Sequence, residues 1–272
     1  MKLRHATIFV IAVATLGVAC LDLSAPKGPA SISPIQLPAK FVVRGDTMRN
    51  EAGTPAPPVI NQFNITGQLI GGAGPQFFIL DSAPVAHFDP ATSALVGDKL
   101  GVVNFIGQVG GLQTPTVTVP VTVLPTRIDQ TTGALDTIKA PLTQDTTLAL
   151  QVGEGASKMP VIVKGAGDTT VQGVVVHYLI TRTLAPSNPA RQAVYITGPS
   201  GKLTTTDTTN SGGQATANQI NVKASLLADV AIATGQKVDS VIVQASASYR
   251  GVPLLGSPVT FIFHVVGVIG SP

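Results

Sequence analysis

The sequence predicts an all-β protein with two tandem β-sandwich domains behind an N-terminal export signal. The chain has 272 residues, enough for two domains of ordinary size. Only 11% of them are charged, well below the roughly 25% of an average globular domain. The 28 glycines and 21 prolines separate short runs in which apolar and polar residues alternate, and this is the pattern of strands and turns.

The N-terminus has the composition of an export signal. Lys2 and Arg4 precede an apolar run of 14 residues, 6–19. Because a membrane-spanning helix needs about 20 residues, we interpret residues 1–19 as a removable signal peptide. Cys20 follows directly and is the only cysteine, so no disulfide can form within one chain.

The residues before this cysteine resemble the lipobox of bacterial lipoproteins, in the order Leu16-Gly17-Val18-Ala19-Cys20, with the leucine one position earlier than usual. The resemblance implies a lipid on Cys20, and through that lipid the membrane as a partner. It also implies a place in the cell envelope, at the outer membrane. Residues 20–34 are rich in Ser, Pro and Gly and predict a flexible tether. The alternative is an incidental cysteine in an ordinary secretory signal.

Residues 35–125 predict the first sandwich. Thr or Pro alternates with Val in residues 116–123, so one face of this strand is apolar. The turn Gly45-Asp46-Thr47 and the stretch 81–97 resemble the bacterial immunoglobulin-like group 2 domains. The resemblance implies an immunoglobulin-like fold for this block.

Residues 145–268 predict the second sandwich, and residues 126–144 a linker. Apolar residues occupy every second position in 240–250 and again in 259–265, which predicts two strands with one buried face each. The expected elements between them are a central strand at 173–183 covered on both faces, a hairpin at 204–217 and a short helix at 224–234.

The second block resembles the immunoglobulin-like group 1 domains of invasin- and intimin-like adhesins. The resemblance is carried by Val-Gln-Gly-Val-Val-Val at 171–176 and by Thr-Asp through Gly-Gln-Ala-Thr at 206–216. It implies an immunoglobulin-like fold and a surface location, and says little about a ligand.

The charge balance argues against a nucleic-acid partner. Without Lys2 and Arg4, 15 basic and 14 acidic side chains remain. Lys and Arg form no cluster that would neutralise several phosphates, so we expect no nucleic-acid binding.

The motifs of catalysis and metal binding are missing from the sequence, so we expect no catalytic residue, no cofactor and no metal. His87, His177 and His264 stand far apart, and His87 with Asp89 comes nearest to a ligand pair. A G-x-S-x-G elbow is absent. A triad assembled only by the fold stays open as an alternative.

Three short motifs admit a functional and a structural interpretation. Arg44-Gly45-Asp46 spells the integrin-recognition tripeptide, but it also fits a tight turn after a strand. Asp207 and Asn210 offer loop oxygens to calcium. Asn64 begins a glycosylation sequon, which a bacterial lipoprotein would leave unread.

The sequence therefore predicts a non-enzymatic, lipid-anchored envelope protein. Its domains would serve as spacer and interaction modules of the adhesin-like kind, with a protein or glycan ligand. The alternative is a structural accessory subunit of a periplasmic or outer-membrane assembly. An enzyme with an unrecognised site ranks last.

Overall fold

The computed structural model describes residues 28–72, 74–133, 135–142, 154–183, 193–223 and 237–269. The predicted signal peptide, Cys20 and the helix expected at 224–234 lie outside these residues. The contacts between Cα atoms divide the chain into two compact units made of alternating segments. In the described residues, unit 1 comprises 28–36, 59–80 and 105–117, and unit 2 comprises the rest.

The described residues are all-β, apart from one 3-10 turn at Ala166–Asp168, and this confirms the predicted fold class. The strands are, in chain order, β1 Ser31–Ile32, β2 Val42–Val43, β3 Gln62–Phe63, β4 Leu69–Ile70, β5 Gln76–Ile79, β6 Ala86–Phe88, β7 Leu95–Gly97, β8 Gly101–Val109, β9 Leu112–Gln113, β10 Val117–Thr122, β11 Pro125–Gln130, β12 Leu135–Leu142, β13 Glu154–Lys158, β14 Val161–Gly165, β15 Val175–Arg182, β16 Val194–Thr197, β17 Thr206–Thr208, β18 Gln214–Ala215, β19 Gln219–Lys223, β20 Lys237–Ser246, β21 Ser248–Tyr249, β22 Val252–Pro253 and β23 Val259–Ile269.

Unit 1 contains the three-stranded sheet β1-β3-β4. It also contains β5 and β9, which both pair with the part of β8 that begins at Phe105. The rings of Phe77 and Phe105 meet edge to face, with centroids 6.2 Å apart. Gly107 permits this packing, because a Cβ at that position would lie 2.2 Å from the Cδ1 of Ile60.

Unit 2 contains a complete two-layer sandwich. Its first layer is the five-stranded sheet β12-β23-β20-β15-β17. In the second layer, β13 continues into β14, and β18 continues into β19, so that each pair acts as one long strand. These two long strands pair with each other, with β11 beside the first and β16 beside the second. This arrangement matches the immunoglobulin fold, in which strands A, B, E and D face a sheet built around G, F and C. The strand order therefore defines an immunoglobulin-like sandwich.

The core of this sandwich is built from the two inner faces. Val241, Val243 and Ala245 of β20 are buried, as are Phe261 and Phe263 of β23. The alternation predicted for both strands is confirmed, but the strand predicted at 240–250 ends at Ser246, and Tyr249 lies in the separate strand β21. Buried valines and isoleucines of β14 and β19 complete the same cluster, together with Phe41 and Val43 from the N-terminal part of unit 2.

Four further strands of unit 2 come from the first predicted block. β2 pairs in parallel with β10, and β6 forms a hairpin with β7. Val119 and Val121 of β10 are buried while Thr118 is exposed. The apolar face predicted for this strand is therefore confirmed.

The structure corrects two expectations for the second block. β15 is central, between β20 and β17, but only its inner face is covered, since Leu179 on the other face is 64% exposed. The turn at Asn210 forms as predicted, because the Asn210 Oδ1 accepts the N–H of Gly212. The two arms do not form a hairpin: β17 joins the five-stranded sheet and β18 pairs with β14 in the other layer.

Two segments expected to be irregular contain strands. The predicted linker, 126–144, holds most of β11 and all of β12, and both belong to the sandwich. The predicted tether, 20–34, includes β1, which pairs with β3. The predicted domain boundaries at 35–125 and 145–268 stay predictions.

Candidate functional site

The turn after β2 places an acidic side chain inside unit 2. Gly45 has a φ of +76°, a conformation that glycine adopts without strain. The N–H of Asp46 donates to the carbonyl of Val43 at 3.0 Å and closes the turn. As a result the Asp46 side chain points inward and is only 8% exposed.

The Asp46 carboxylate accepts hydrogen bonds from three side chains. Arg49 donates from Nε at 3.1 Å, and Arg250 donates from Nε at 2.9 Å, with its Nη2 at 2.7 Å. The hydroxyl of Tyr249 and the N–H of Thr47 also donate to it. We name these four side chains, Asp46, Arg49, Tyr249 and Arg250, the Asp46 junction.

The junction fixes the charge of its members. Burial raises the pKa of Asp46, but the hydrogen bonds from Arg49, Tyr249 and Arg250 outweigh it and hold this pKa well below the ordinary 3.8. Burial and the neighbouring Asp46 raise the pKa of the Tyr249 hydroxyl. The hydrogen bond to Asp46 raises the pKa of Arg250. The carboxylate is therefore ionised, and Tyr249 and Arg250 keep their protons.

Two turns bring the donors to Asp46. Tyr249 and Arg250 lie at the tip of the β21–β22 hairpin, where Arg250 has a φ of +54° and Gly251 one of +74°. Gly53 allows the close approach of the other chain segment, since a Cβ there would lie 2.5 Å from the carbonyl carbon of Arg250. The ring of Tyr249 also packs against Phe41, with centroids 6.0 Å apart.

A shallow groove runs beside the junction between residues 38–51 and the second sandwich. It holds about 80 Å³ of solvent space, far less than the roughly 300–1,000 Å³ of a small-molecule site. Further polar contacts cross it: His177 contacts Glu51, and the Nζ of Lys40 donates to the hydroxyl of Thr208 at 3.1 Å. These contacts hold the two chain segments on either side of the groove together.

This geometry decides between the two interpretations of Arg44-Gly45-Asp46. An integrin ligand must present its carboxylate to a receptor, whereas the Asp46 carboxylate is buried and saturated with donors. The tripeptide is a structural turn.

Each of the three described histidines contacts a polar side chain of another segment. His87 Nδ1 lies 2.8 Å from a carboxylate oxygen of Asp98, and His264 Nδ1 lies 2.8 Å from the hydroxyl of Ser240. His177 contacts Glu51. Within the described part of the chain, no three His, Cys, Asp or Glu side chains converge as metal ligands would.

The loop oxygens considered for calcium are engaged by the backbone. The Asp207 carboxylate accepts the N–H of Thr208 at 2.7 Å and that of Ala217 at 2.8 Å. The side chain of Asn210 accepts backbone N–H groups of its own turn. The side chain of Asn64, the first residue of the sequon, does the same in its turn. These residues stabilise turns.

The lipidation candidate Cys20 lies outside the described residues. In the part of the chain that the structure describes, no helix is long and apolar enough to pass through a bilayer.

The sequence pointed to only one half of the junction. The sequence predicts the turn at Asp46, but it places Tyr249 and Arg250 at the end of a strand over 240–250. The adjoining Gly251 was a signal that the chain turns there and that both side chains lie at a hairpin tip.

The solved structures to which this chain is similar are distant from it. No family model and no curated protein match the chain. Domains 4 and 5 of the S-layer protein SbsC are 12% identical, covering 86% of this chain and 96% of that chain, with a TM-score of 0.29. The adhesin InvE of Yersinia pseudotuberculosis is 14% identical, with coverages of 88% and 61% and a TM-score of 0.32. Cadherin-like domains 1 to 4 of zebrafish RET are 10% identical, with coverages of 72% and 41% and a TM-score of 0.28.

Such low TM-scores carry no argument, so the class of the protein rests on its own strand order and core. By these, it is an all-β protein that contains an immunoglobulin-like sandwich.

Proposed function

We propose that this chain is a non-enzymatic, lipid-anchored envelope protein whose immunoglobulin-like domains act as spacer and adhesin-like interaction modules. The observation that carries the proposal is the Asp46 junction. The buried carboxylate of Asp46 holds residues 37–58 against the second sandwich, beside a groove of only about 80 Å³. This supports a structural role for the junction, because the groove beside it is smaller than a small-molecule site.

The lipid anchor is supported by the sequence. A short apolar run ends at the sole cysteine, Cys20, in a lipobox-like setting. The ligand is a protein or a glycan recognised by loops or sheet edges, because these are the surfaces that a rigid sandwich offers. The proposal includes no metal, no cofactor and no nucleic acid.

The anchor is tested by mass spectrometry of the protein expressed in a bacterium that processes lipoproteins. We expect a mature chain that begins at Cys20 and carries acyl chains, and that partitions into the detergent phase. The matched Cys20→Ser variant should lose both properties. A wild-type protein with unmodified Cys20 in the soluble fraction would contradict the proposal.

The alternative of an accessory subunit is favoured by one observation: β17 is the terminal strand of the five-stranded sheet. A terminal strand can accept a strand from a partner. Protease treatment of intact cells separates the two functions, because a surface adhesin is cleaved and a periplasmic subunit is protected until the outer membrane is opened.

A further inference from the structure

Unit 1 carries no charged side chain in its described residues. The segments 28–36, 59–80 and 105–117 contain no Asp, Glu, Lys, Arg or His. Surfaces that face water are usually about 25–35% charged. All charged residues that the structure describes therefore belong to unit 2. Moving the described surface of unit 1 out of water would cost no desolvation energy of a charged group.

Unit 1 also exposes large apolar side chains. Ile65 and Leu69 flank the turn of the β3–β4 hairpin and are 75% and 67% exposed. Val59, Phe78 and Leu80 are exposed in the same unit. The polar groups of the turn are satisfied internally, because the Asn64 Oδ1 accepts the N–H groups of Thr66 and Gln68 at 3.0 and 2.9 Å. This lowers the cost of moving the turn into a less polar environment.

The hairpin tip lies at the end of the sheet where the chain arrives from the predicted lipid site. β1 runs antiparallel to β3, and Ser31 pairs with Phe63, the last residue before the turn. The N–H of Ala30 donates to the carbonyl of Phe63 at 2.8 Å. Ala30 is ten positions after Cys20, so the two residues lie at most about 35 Å apart when the chain is extended. The tip is therefore within reach of the bilayer that holds the lipid.

We propose that the β3–β4 hairpin tip, with Ile65 and Leu69, inserts into the interfacial layer of the bilayer that holds the lipid on Cys20. The inference rests on the proposed lipid anchor. It adds a protein-borne membrane contact beside the lipid, and apolar side chains that enter the interfacial layer strengthen such attachment in proportion to the area they bury. An uncharged tip beside the anchor fits lipid better than it fits a protein partner, because it offers no ionic group for recognition.

The test uses fluorescent labels on the lipidated full chain in vesicles of phosphatidylethanolamine and phosphatidylglycerol. With Cys20 blocked by lipid, Ile65→Cys supplies the only reactive thiol. Leu255→Cys is the matched control, since Leu255 is 76% exposed and belongs to unit 2. We expect nitroxide-labelled lipids to quench the label at 65 several-fold more than the label at 255, and aqueous iodide to quench it several-fold less.

The outcomes separate the inference from the proposed function. Mass spectrometry and vesicle flotation establish the lipid first, and their failure overturns both. A lipidated, floating protein whose label at 65 is as open to iodide as the label at 255 overturns the inference alone. A label shielded from iodide but not quenched by nitroxide lipids indicates contact with protein and also overturns it. Leu69→Cys repeats the test at a second site, and circular dichroism checks that each variant is folded.

Discussion

Asp46 is the residue on which the junction depends most. Replacing it with Asn keeps the shape but removes the charge that Arg49 and Arg250 share. Breaking a buried ion pair costs about 3–5 kcal/mol; because Arg250 is half exposed and can regain water, we expect Asp46→Asn to lower the unfolding free energy by about 2–4 kcal/mol. Urea denaturation followed by circular dichroism measures the loss.

A second carboxylate provides the control. Asp98 pairs with His87 and is 43% exposed, so the pair is screened by water. Asp98→Asn should change the unfolding free energy by about 1 kcal/mol or less. Equal losses in the two variants would show that burial of Asp46 has no special effect.

Acid should weaken the same contact. Because burial is outweighed by the three donors, the pKa of Asp46 in the folded protein lies below its ordinary 3.8. The unfolded chain then binds the proton at a higher pH, so the contribution of Asp46 is complete above that value and is lost as the pH falls toward the folded pKa. The difference in unfolding free energy between wild type and Asp46→Asn should be constant from about pH 7 to 5 and shrink below about pH 4.

Urea titrations of both proteins across this range test the sign of the effect. The other acidic residues contribute equally to the two proteins, so they cancel in the difference. A difference that grows on acidification would mean that the pKa of Asp46 is raised by folding.

The entry into β15 depends on a glycine. Gly173 has a φ of +87°, and a Cβ there would lie 2.9 Å from the carbonyl oxygen of Lys40 and from the Cβ of Phe41. Gly201 has a φ of +70° but open space around it, so Gly201→Ala should cost only the left-handed conformation, about 1–2 kcal/mol. Gly173→Ala should cost about 1–3 kcal/mol more from overpacking. Thermal unfolding of the two variants measures the difference, and similar costs would contradict the close packing.

The elements that sequence predicts well are those defined by a local period. The alternation in β20 and β23 marks their buried faces, because a side-chain period of two is a property of each strand alone. The arms of the turn at Asn210 show the limit. The turn itself follows from local residues, but whether β17 and β18 pair with each other or join different layers depends on contacts distant in sequence.

The same limit applies to the candidate site. The turn at Gly45 and Asp46 is encoded locally, since glycine permits the positive φ that the turn requires. The donors Tyr249 and Arg250 lie 203 and 204 residues away. No spacing rule links such positions, so only the folded structure reveals the junction.

Across the described residues, the charged side chains lie in unit 2 and none lies in unit 1. In its described residues, unit 1 consists of three uncharged segments that alternate along the chain with segments of unit 2. The sequence showed a low overall charge, but it could not show that the uncharged segments gather in one unit. That grouping arises from strand pairing between segments such as 28–36 and 59–80.

Unit 2 should open as one cooperative body. Phe41 and Val43 share a core with the second sandwich, and the amide of Met48 is hydrogen-bonded to the carbonyl of Leu95. Amides that are exposed only by global unfolding exchange with the full unfolding free energy. We expect the amides of Met48 and Val243 to exchange with the same free energy in hydrogen-exchange experiments in dilute urea. In the Asp46→Asn variant, the amide of Met48 should exchange with a lower free energy of opening than the amide of Val243. A Met48 amide that already exchanges several kcal/mol more easily in the wild type would show that residues 37–58 open independently of the sandwich.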